Sequence, residues 1–150
     1  MADHSVFVDR SSTPADIQYS PVFNVAVPMI DRHLANNRGA YTAIINTDAT
    51  ESADIKITYQ QLAGRVNQCG NLLRSFDSQP GDRILMVVKD CPEFFYIFWG
   101  AIKAGLAPVP LNTLLRADDY QFMIEDSGCA GLIYSSEYQD EVATALEASS

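Results

Sequence analysis

The chain is 150 residues long, 47% hydrophobic and 19% charged, a composition typical of a folded globular protein and not of a disordered segment. Its 19 acidic and 10 basic residues give a formal charge of -9, which opposes binding to nucleic acid phosphates and to anionic membranes. We therefore expect neither nucleic acid nor a membrane as a partner.

The cysteines and the apolar runs predict a cytoplasmic protein. Cys69, Cys91 and Cys129 are odd in number and lack metal-ligand spacing, which favours reduced thiols in an apolar core over disulfides or reactive groups. The first twenty residues show no basic segment followed by an apolar one, so no secretory signal is predicted. The longest apolar run, Phe94 to Ile102, is too short to span a bilayer.

The N-terminal third predicts little regular structure before one short helix. Residues 1–20 are rich in Ser, Thr, Pro and Asp without sustained periodicity, which predicts a flexible N-terminal arm. A helix is predicted from Asn24, with Pro28 near its first turn, and it ends at residues 36–39. His33 lies on its apolar face with no second ligand at metal-binding spacing, so we interpret it as a packing or capping residue.

Two strands and a long helix are predicted next. Tyr41 to Asn46 and Ile55 to Thr58 are predicted to pair as an antiparallel ribbon around an exposed polar loop, Thr47 to Ala53. Thr58 and Gln61 have the spacing of a capping box, which marks the start of the helix. Apolar residues at steps of three and four predict one face that packs on a sheet: Tyr59, Leu62, Val66, Cys69, Leu73 and Phe76.

Residues 80–112 predict a strand, a helix and a second strand, the pattern of a right-handed crossover between parallel strands. Ile84 to Val88 is continuously apolar, so this strand is predicted to be buried on both sides. Asp90 or Cys91 is expected to cap the helix, and Gly105 to end it. The helix is apolar nearly all round from Phe94 to Ile102, so we expect further protein to cover it.

The second strand of this unit, Leu106 to Leu111, is predicted to lie at an edge. Pro108 and Pro110 each remove a hydrogen-bond donor from the ladder, which suits an edge or a strand near a domain boundary.

The same alternation continues to the end of the sequence. A helix is predicted from Asp118 to Gly128 and a strand from Gly131 to Tyr134. Ser135 or Ser136 is predicted to cap a last helix whose inward residues are Val142, Ala145 and Leu146. The whole pattern predicts an α/β fold, a layered, mostly parallel sheet with helices on both faces.

Sequence motifs for independent chemistry are missing. The chain has no glycine-rich phosphate loop, no nucleophile elbow, no His-Glu-x-x-His and no Cys-x-x-Cys. Its two histidines, His4 and His33, do not predict a Ser-His-Asp arrangement, so an independent small hydrolase is not expected. Adjacent carboxylates at 118–119 and 125–126 point apart on a helix, and we interpret them as helix-end charges.

Four segments, taken in order, resemble the opening of the adenylate-forming superfamily, which includes acyl-CoA and aryl-CoA synthetases, peptide-synthetase adenylation domains and beetle luciferases. They are Ile57–Leu62, Pro80–Arg83, Pro92–Phe94 and Ala104–Asn112. Within that superfamily, four further stretches most resemble benzoate-CoA ligases: Phe23–Ala26, Asp31–Leu34, Asn112–Leu115 and Glu125–Ser127. The resemblance begins near Pro21 and runs to the end of the sequence.

The resemblance implies a parent enzyme that uses ATP and Mg2+ to form an acyl-adenylate and then displaces AMP with the thiol of CoA. The family's phosphate loop ending in Pro-Lys-Gly, its Thr-Glu pair, its ribose-binding Asp and its catalytic Lys are absent from this sequence. It therefore implies that residues 21–150 are the truncated N-terminal part of the large AMP-binding domain, a partial subdomain of the adenylate-forming fold.

Several expectations follow from that truncation. The chain by itself is expected to be inactive, to hold no catalytic residue or metal ligand, and to bind none of the three cofactors well. The remainder of its own polypeptide is the expected partner, and the parent's substrate is expected to be a small aromatic or other carboxylic acid.

The resemblance also implies one local site. In relatives, the residues after the Val-Pro-Leu-Asn strand approach the nucleotide of CoA, and some relatives place an Arg at the position of Leu114, where it pairs with a phosphate. Here the candidates for CoA-nucleotide binding are Asn112, Thr113 and Arg116, with simple solvation as the alternative for Arg116.

A different class of function stays open beside the ligase hypothesis. The chain is also interpretable as a free-standing flavodoxin-like binding or interaction module, with the apolar helix at 94–102 as its partner interface. A stop codon directly after residue 150 in the native gene would favour this alternative.

Overall fold

The structure, a computed structural model, describes residues 4–47 and 54–149, and within the chain it separates two units, residues 1–64 and 65–150. The strands and helices of the first unit, up to the helix that continues into the second, are β1 Val6–Asp9, β2 Asp16–Tyr19, α1 Arg32–Ala35, β3 Thr42–Asn46, β4 Ile55–Thr58 and α2 Tyr59–Arg74. The predicted polar loop after Thr47 lies outside the described residues.

The N-terminal segment contains a β-hairpin that the sequence analysis did not predict. Antiparallel pairing joins β1 to β2 from Val6 opposite Tyr19 to Asp9 opposite Asp16. Each strand has only four residues and most of its side chains are exposed, so there is no alternation of apolar and polar residues to recognise. The sequence analysis did not predict these two strands, and the flexible N-terminal arm at residues 1–20 stays a prediction.

The first helix begins later than predicted. A π-helical turn at Val27–Asp31 leads directly into α1, with Pro28 in its first turn as expected. The side-chain oxygen of Asn24 accepts a hydrogen bond from the Ala26 N–H at 3.1 Å, so this residue closes the turn before the helix. The interpretation of His33 as a packing residue is confirmed by its ring.

That ring stacks on the ring of Tyr59, with 3.9 Å between the centroids and 9° between the planes. Partial loss of hydration lowers the pKa of His33, and the positive charges of Arg38 and Arg32 lower it further.

The ribbon and the capping box are confirmed. β3 and β4 pair antiparallel, and the Thr58 N–H donates to Oε1 of Gln61 at 2.9 Å while the Gln61 N–H donates to Oγ1 of Thr58 at 3.3 Å. These two bonds satisfy backbone donors that the first helical turn leaves without partners. They set the start of α2.

The apolar face of α2 is confirmed except at its end. Leu62, Val66 and Leu73 are buried, whereas Phe76 is 71% exposed. The helix stops at Arg74 and the backbone turns at Asp77, where φ is 57°, so Phe76 no longer follows the helical period.

The second unit is the predicted α/β layer. Its elements are β5 Arg83–Val87, α3 Pro92–Ala104, β6 Ala107–Pro110, α4 Ala117–Ser127, β7 Gly131–Tyr134 and α5 Gln139–Ala148, with a 3-10 turn at Ser136–Tyr138. The three strands are parallel in the order β6-β5-β7, and β5 is buried on both sides as predicted.

Helices cover both faces of this sheet. On one face, Ile84 of β5 packs with Leu73 of α2 and with Ala101 of α3. On the other face, Val87 packs with Tyr120 of α4 and Val142 of α5. Since the two β5 residues are an odd number of positions apart, they point to opposite faces, and each face has its own apolar core.

The prolines of β6 lie at a sheet edge within the described residues, as predicted. The Ala107 N–H donates to the carbonyl of Asp82 at 2.8 Å and the Leu111 N–H to that of Met86 at 2.9 Å. These donors face β5, so the alternation of the strand places the ring nitrogens of Pro108 and Pro110 on the opposite, open side. Neither proline removes a hydrogen bond from this ladder.

Most predicted helix ends are confirmed, and two details are corrected. Gly105 and Gly128 end α3 and α4 in the left-handed conformation, with φ of 87° and 52°. Cys91 occupies the N-cap position of α3, but its side chain makes no capping hydrogen bond. Ser135 precedes the 3-10 turn instead of α5, and its hydroxyl oxygen accepts the Lys89 N–H at 3.1 Å.

Leu146 is 43% exposed, so its inward assignment was wrong. At 3.6 residues per turn it lies about 70° from the centre of the face between Val142 and Ala145. It is therefore at the margin of the buried face. No helix among the described residues has both the length and the apolar character that a membrane span requires.

Candidate functional site

A polar cleft of about 360 Å³ lies at the carboxyl ends of the parallel strands. It is lined by Lys89 and Asp90 after β5, by Asn112 and Thr113 after β6, and by Tyr138 after β7. The chain leaves β5 toward α3 on one face and leaves β6 toward α4 on the other. Such a reversal opens a crevice between neighbouring strand ends, which is where open α/β sheets bind ligands.

Asn112 is fixed in the loop after β6. Its side-chain oxygen accepts the Leu114 N–H at 2.9 Å, and its carbonyl accepts the hydroxyl of Tyr120 at 3.0 Å. Tyr120 is fully buried, and burial raises the pKa of its phenol, so the hydroxyl remains a donor at neutral pH. The loop that carries Asn112 and Thr113 therefore rests on a core residue of α4.

Arg116 does not line the cleft. Its Nη1 contacts Oε1 of Glu141 at 2.9 Å, and the other carboxylate oxygen of Glu141 accepts the Ala117 N–H at 2.9 Å. The Arg116 N–H in turn donates to Asp119 at 3.1 Å. The structure thus brings Asn112 and Thr113 into one cleft and holds Arg116 beside it, at the start of α4.

The pair between Arg116 and Glu141 is weak enough to open. The Arg116 side chain is 81% exposed, and exposed ion pairs contribute about 0–1 kcal/mol. A phosphate could take the place of the Glu141 carboxylate, because both present oxygens to the guanidinium fork. Leu114, two residues before Arg116, is 85% exposed.

Sequence reasoning missed Lys89, Asp90 and Tyr138 as cleft residues. The ammonium of Lys89 forms a close ion pair with Glu137, and their hydrogen bond raises the pKa of Lys89 and lowers that of Glu137. The signal was available, because residues that follow neighbouring parallel strands meet at one sheet edge. The segment after β5 was interpreted only as the cap of α3.

The electrostatics of the cleft are balanced instead of strongly cationic. Lys89 is paired with Glu137, Arg116 is paired with Glu141, and Asp90 adds a further acidic side chain. A phosphate ligand would therefore need one of these pairs to open. Among the described residues, no three His, Cys, Asp or Glu side chains cluster closely enough to bind a metal ion.

Cys69 and Cys91 are not activated thiols. All three cysteines are free, and burial raises the pKa of Cys69 and of Cys91. A raised pKa keeps a thiol protonated at neutral pH and so lowers its nucleophilicity. This agrees with their interpretation as small apolar residues.

A larger, apolar groove of about 600 Å³ lies beside β7. Its walls include Leu72 of α2, Phe76, Ile97 of α3 and Ile133 of β7. The groove and the cleft differ in chemistry, because the groove offers apolar surface and the cleft offers polar side chains at strand ends.

Comparisons with known proteins find a matching family and relatives that are much longer than this chain. A family model described as AMP-binding enzyme matches residues 31–150. The chain is 39% identical over 130 residues to a benzoate-CoA ligase of Thauera aromatica, covering 86% of this chain and 24% of that protein. It is 37% identical over 116 residues to a 4-hydroxybenzoate-CoA/benzoate-CoA ligase of Rhodopseudomonas palustris, covering 77% and 20%.

The fold agrees with these matches. A crystal structure of a benzoate CoA ligase from Burkholderia xenovorans superposes with a TM-score of 0.74 at 32% identity, covering 84% of this chain and 24% of that one. The chain thus spans about a quarter of the length of these relatives, all matched in part only.

Proposed function

The chain belongs to the AMP-binding enzyme family, and from this premise we propose that it is the N-terminal part of an ATP-dependent aryl-CoA ligase whose acid is benzoate. The intact enzyme would form an acyl-adenylate from the acid and ATP with release of pyrophosphate, and the thiol of CoA would then displace AMP to give the thioester. The observation that supports this most strongly is the 39% identity to a benzoate-CoA ligase over 130 of the 150 residues.

The cofactors of the proposal are ATP, Mg2+ and CoA, held by the intact polypeptide. The residues expected to hold ATP and Mg2+ are not in this sequence, so the 150-residue chain alone is expected to bind the cofactors poorly and to be inactive. Its partner is the remainder of its own polypeptide, and the three free thiols support a reducing, cytosolic location.

Within the proposal, the cleft contributes to the nucleotide end of CoA. Asn112 and Thr113 would position the loop after β6, and Arg116 would bind a phosphate after leaving Glu141. The loop is suited to this because the Tyr120 hydroxyl and the Leu114 N–H fix Asn112 before any ligand arrives.

Substrate-dependent exchange of pyrophosphate into ATP tests the activity. We expect exchange with benzoate from the polypeptide encoded by the complete reading frame, and none from the 150-residue chain. A long-chain fatty acid serves as the control acid and should support much slower exchange. Exchange by the 150-residue chain itself would contradict its assignment as an inactive part.

The role of Arg116 has a separate test in the intact enzyme. Arg116→Ala should raise KM for CoA about fivefold, equivalent to about 1 kcal/mol for one exposed charge-assisted contact, and leave the adenylation step unchanged. Arg74→Ala serves as the matched control, because it removes an exposed arginine at the end of α2, away from the cleft. Equal KM values for both variants would favour simple solvation of Arg116.

The free-standing flavodoxin-like module remains the second candidate. The cleft at the reversal of strand connections is the feature that favours it, since flavodoxin-like proteins bind ligands at the same place. A complete reading frame that ends at residue 150 would support this module and remove the ligase proposal.

A further inference from the structure

We propose that Lys89 is a second phosphate-binding cation of the cleft, and that Glu137 and Glu141 are counter-carboxylates that a phosphoryl group of CoA displaces from Lys89 and Arg116. This rests on the proposed function, in that it takes the nucleotide end of CoA as the ligand. Three features of the second unit support it: the arrangement of the two ion pairs, the backbone support of Lys89 and the helix ends at this edge of the sheet.

The two ion pairs beside the cleft are built alike. Glu137 lies in the 3-10 turn and Glu141 follows four residues later, in the first turn of α5. Glu137 binds the ammonium of Lys89 after β5, and Glu141 contacts Nη1 of Arg116 before α4 at 2.9 Å. Residues four apart on a helical segment lie on the same side of it. One turn of chain therefore supplies a carboxylate to each cation.

The backbone holds Lys89 at the cleft independently of its side chain. The Lys89 N–H donates to Oγ of Ser135 at 3.1 Å, and the Ser135 N–H donates to the carbonyl of Val87 at 3.0 Å. The Tyr138 N–H donates to the carbonyl of Ser135 at 2.9 Å, which closes the turn that carries Glu137. The Lys89 side chain is 52% exposed, so its ammonium can exchange one anion for another without movement of the backbone.

Three helices begin at the same edge of the sheet. α3, α4 and α5 follow the parallel strands β5, β6 and β7 in turn, so their N-termini lie at the carboxyl ends of these strands. A helix N-terminus carries roughly half a positive charge, and its free N–H groups attract anions. The cleft reaches the first turn of α3 at Phe94. The helix ends therefore add to the attraction that the two cations exert on a phosphoryl group.

The glutamates oppose that attraction. Lys89 and Arg116 contribute two positive charges, whereas Glu137, Glu141 and Asp90 contribute three negative ones, a sum of -1. An ionised carboxylate repels a phosphoryl group and also occupies the cation that would bind it. We therefore expect the two glutamates to keep the affinity for CoA low. Replacement of either one by glutamine removes its charge, frees one cation and keeps the size of the side chain.

The KM for CoA of the intact polypeptide tests the opposite roles of the cation and the carboxylates. Lys89→Met should raise the KM for CoA about threefold to fivefold, whereas Glu137→Gln and Glu141→Gln should each lower it about twofold, since all these groups are solvent-exposed. Lys103→Met in the last turn of α3 and Glu147→Gln near the end of α5 make the same changes of charge far along the same helices. A KM for the cleft variants equal to that of these controls would refute the proposal.

Dephospho-CoA, which lacks the 3′-phosphate and keeps the diphosphate, identifies the phosphoryl group. Effects of the three cleft variants that appear with CoA and vanish with dephospho-CoA would assign the 3′-phosphate. Equal effects with both compounds would assign the diphosphate. A rise in the KM for ATP as large as the rise in the KM for CoA would refute the proposal, because the bound phosphoryl group would then belong to ATP.

Chemical labelling tests the contact without turnover. Reductive methylation of the intact polypeptide is followed by mass spectrometry, with adenosine 3′,5′-bisphosphate as the probe and Lys103 as the internal control. The probe should slow methylation of Lys89 at least about threefold in Glu137→Gln, because a bound phosphate keeps the ammonium protonated and unreactive. Adenosine, which has no phosphate, should leave the rate unchanged. Equal rates at Lys89 with the bisphosphate and with adenosine would refute the contact.

The outcomes distinguish this proposal from the proposed function. The expected changes in the KM for CoA, observed in an enzyme that activates an acid other than benzoate, would leave the roles of Lys89 and the glutamates intact and reject the proposed substrate. Activity with benzoate, together with cleft variants that behave like their controls, would do the reverse.

Discussion

The two edges of the parallel sheet share the central strand β5 and differ in nearly everything else. β6 carries prolines on its open side, and the loop that follows it is fixed by Tyr120 and lines a polar cleft. β7 contains no proline and no charged residue, and an apolar groove lies beside it. The contrast shows that the residue types within a four-residue strand decide whether a sheet edge resists further strand pairing.

The largest loss of stability is expected at the contact between α2 and α3, the two helices that contribute to the wall of the groove. α2 and α3 cross at glycines, and a Cβ at Gly100 would lie 2.8 Å from Cβ of Cys69 and 3.0 Å from the backbone nitrogen of Gly70. Gly100→Val should therefore lower the free energy of unfolding by about 3 kcal/mol, because the helices must separate. Urea unfolding measures it.

Gly64→Ala in the same helix α2 is the matched control, since a Cβ there meets no atom within 4 Å. It should raise the free energy of unfolding by about 0.5–1 kcal/mol through helix propensity. If Gly64→Ala destabilised the protein and Gly100→Val did not, close packing of α2 against α3 at Gly100 would be contradicted.

Removing the prolines of β6 should make the two edges alike. The double variant Pro108→Ala and Pro110→Ala should lose about 1–2 kcal/mol of stability, because two prolines that fit their strand conformation restrict the unfolded chain. It should also associate with itself, since β6 then offers free amides. Urea unfolding and sedimentation velocity measure the two effects.

Pro21→Ala, outside the strands and helices, is the control for the double variant. It should reproduce part of the stability loss without any association. A double variant that stays monomeric at high concentration would show that proline is not what closes the β6 edge.

The support of the β6 loop gives the next effect. Tyr120→Phe removes the hydroxyl that Asn112 accepts at 3.0 Å, and should cost about 0.5–1.5 kcal/mol. Tyr134→Phe removes the hydroxyl of a more exposed tyrosine at the end of β7, and should have almost no effect. Thermal unfolding of both variants measures the two losses of stability. Equal losses would show that the Tyr120 hydroxyl does not stabilise the loop after β6 more than the Tyr134 hydroxyl stabilises the end of β7.

The smallest effect concerns the ion pair that joins the ends of β5 and β7. The pKa of Glu137 is lowered by Lys89, so its contribution exists while the carboxylate is ionised and disappears as pH falls through its folded-state value. The pKa of Lys89 is raised, so its share is lost only at strongly alkaline pH.

Glu137→Gln should therefore lower the Tm slightly at pH 7, and the difference from the unmodified chain should shrink in acid. The effect is small because both side chains are solvent-exposed. A difference that grows as pH falls would contradict the assigned sign.

The sequence predicted the second unit better than the first. The prediction was accurate where the pattern was clear. The apolar run of β5 identified a central strand, and the capping box identified the residue at which α2 begins. The hairpin at Val6–Tyr19 was missed because four-residue strands exposed on both faces leave no pattern to read. Leu146 and Phe76 were misplaced because helical spacing does not say where a helix stops or where its buried face ends.

The candidate site was predicted only in part. Asn112 and Thr113 were identified and lie in the cleft, but Lys89, Asp90 and Tyr138 come from distant parts of the chain and meet there only through the strand order. The pairing of Arg116 with Glu141 joins residues 25 positions apart, which no local pattern indicates.

The sequence by itself determined the family, the parallel layer and the prolines that close the β6 edge, because periodicity, caps and ring nitrogens are properties of short stretches. Only the tertiary structure decided that β5 lies between β6 and β7, that α4 and α5 share a face, and that β7 is an edge strand of the described sheet beside an apolar groove. Those features depend on which helices and strands pack together, and this is determined by burial of apolar residues against elements that are distant in the sequence.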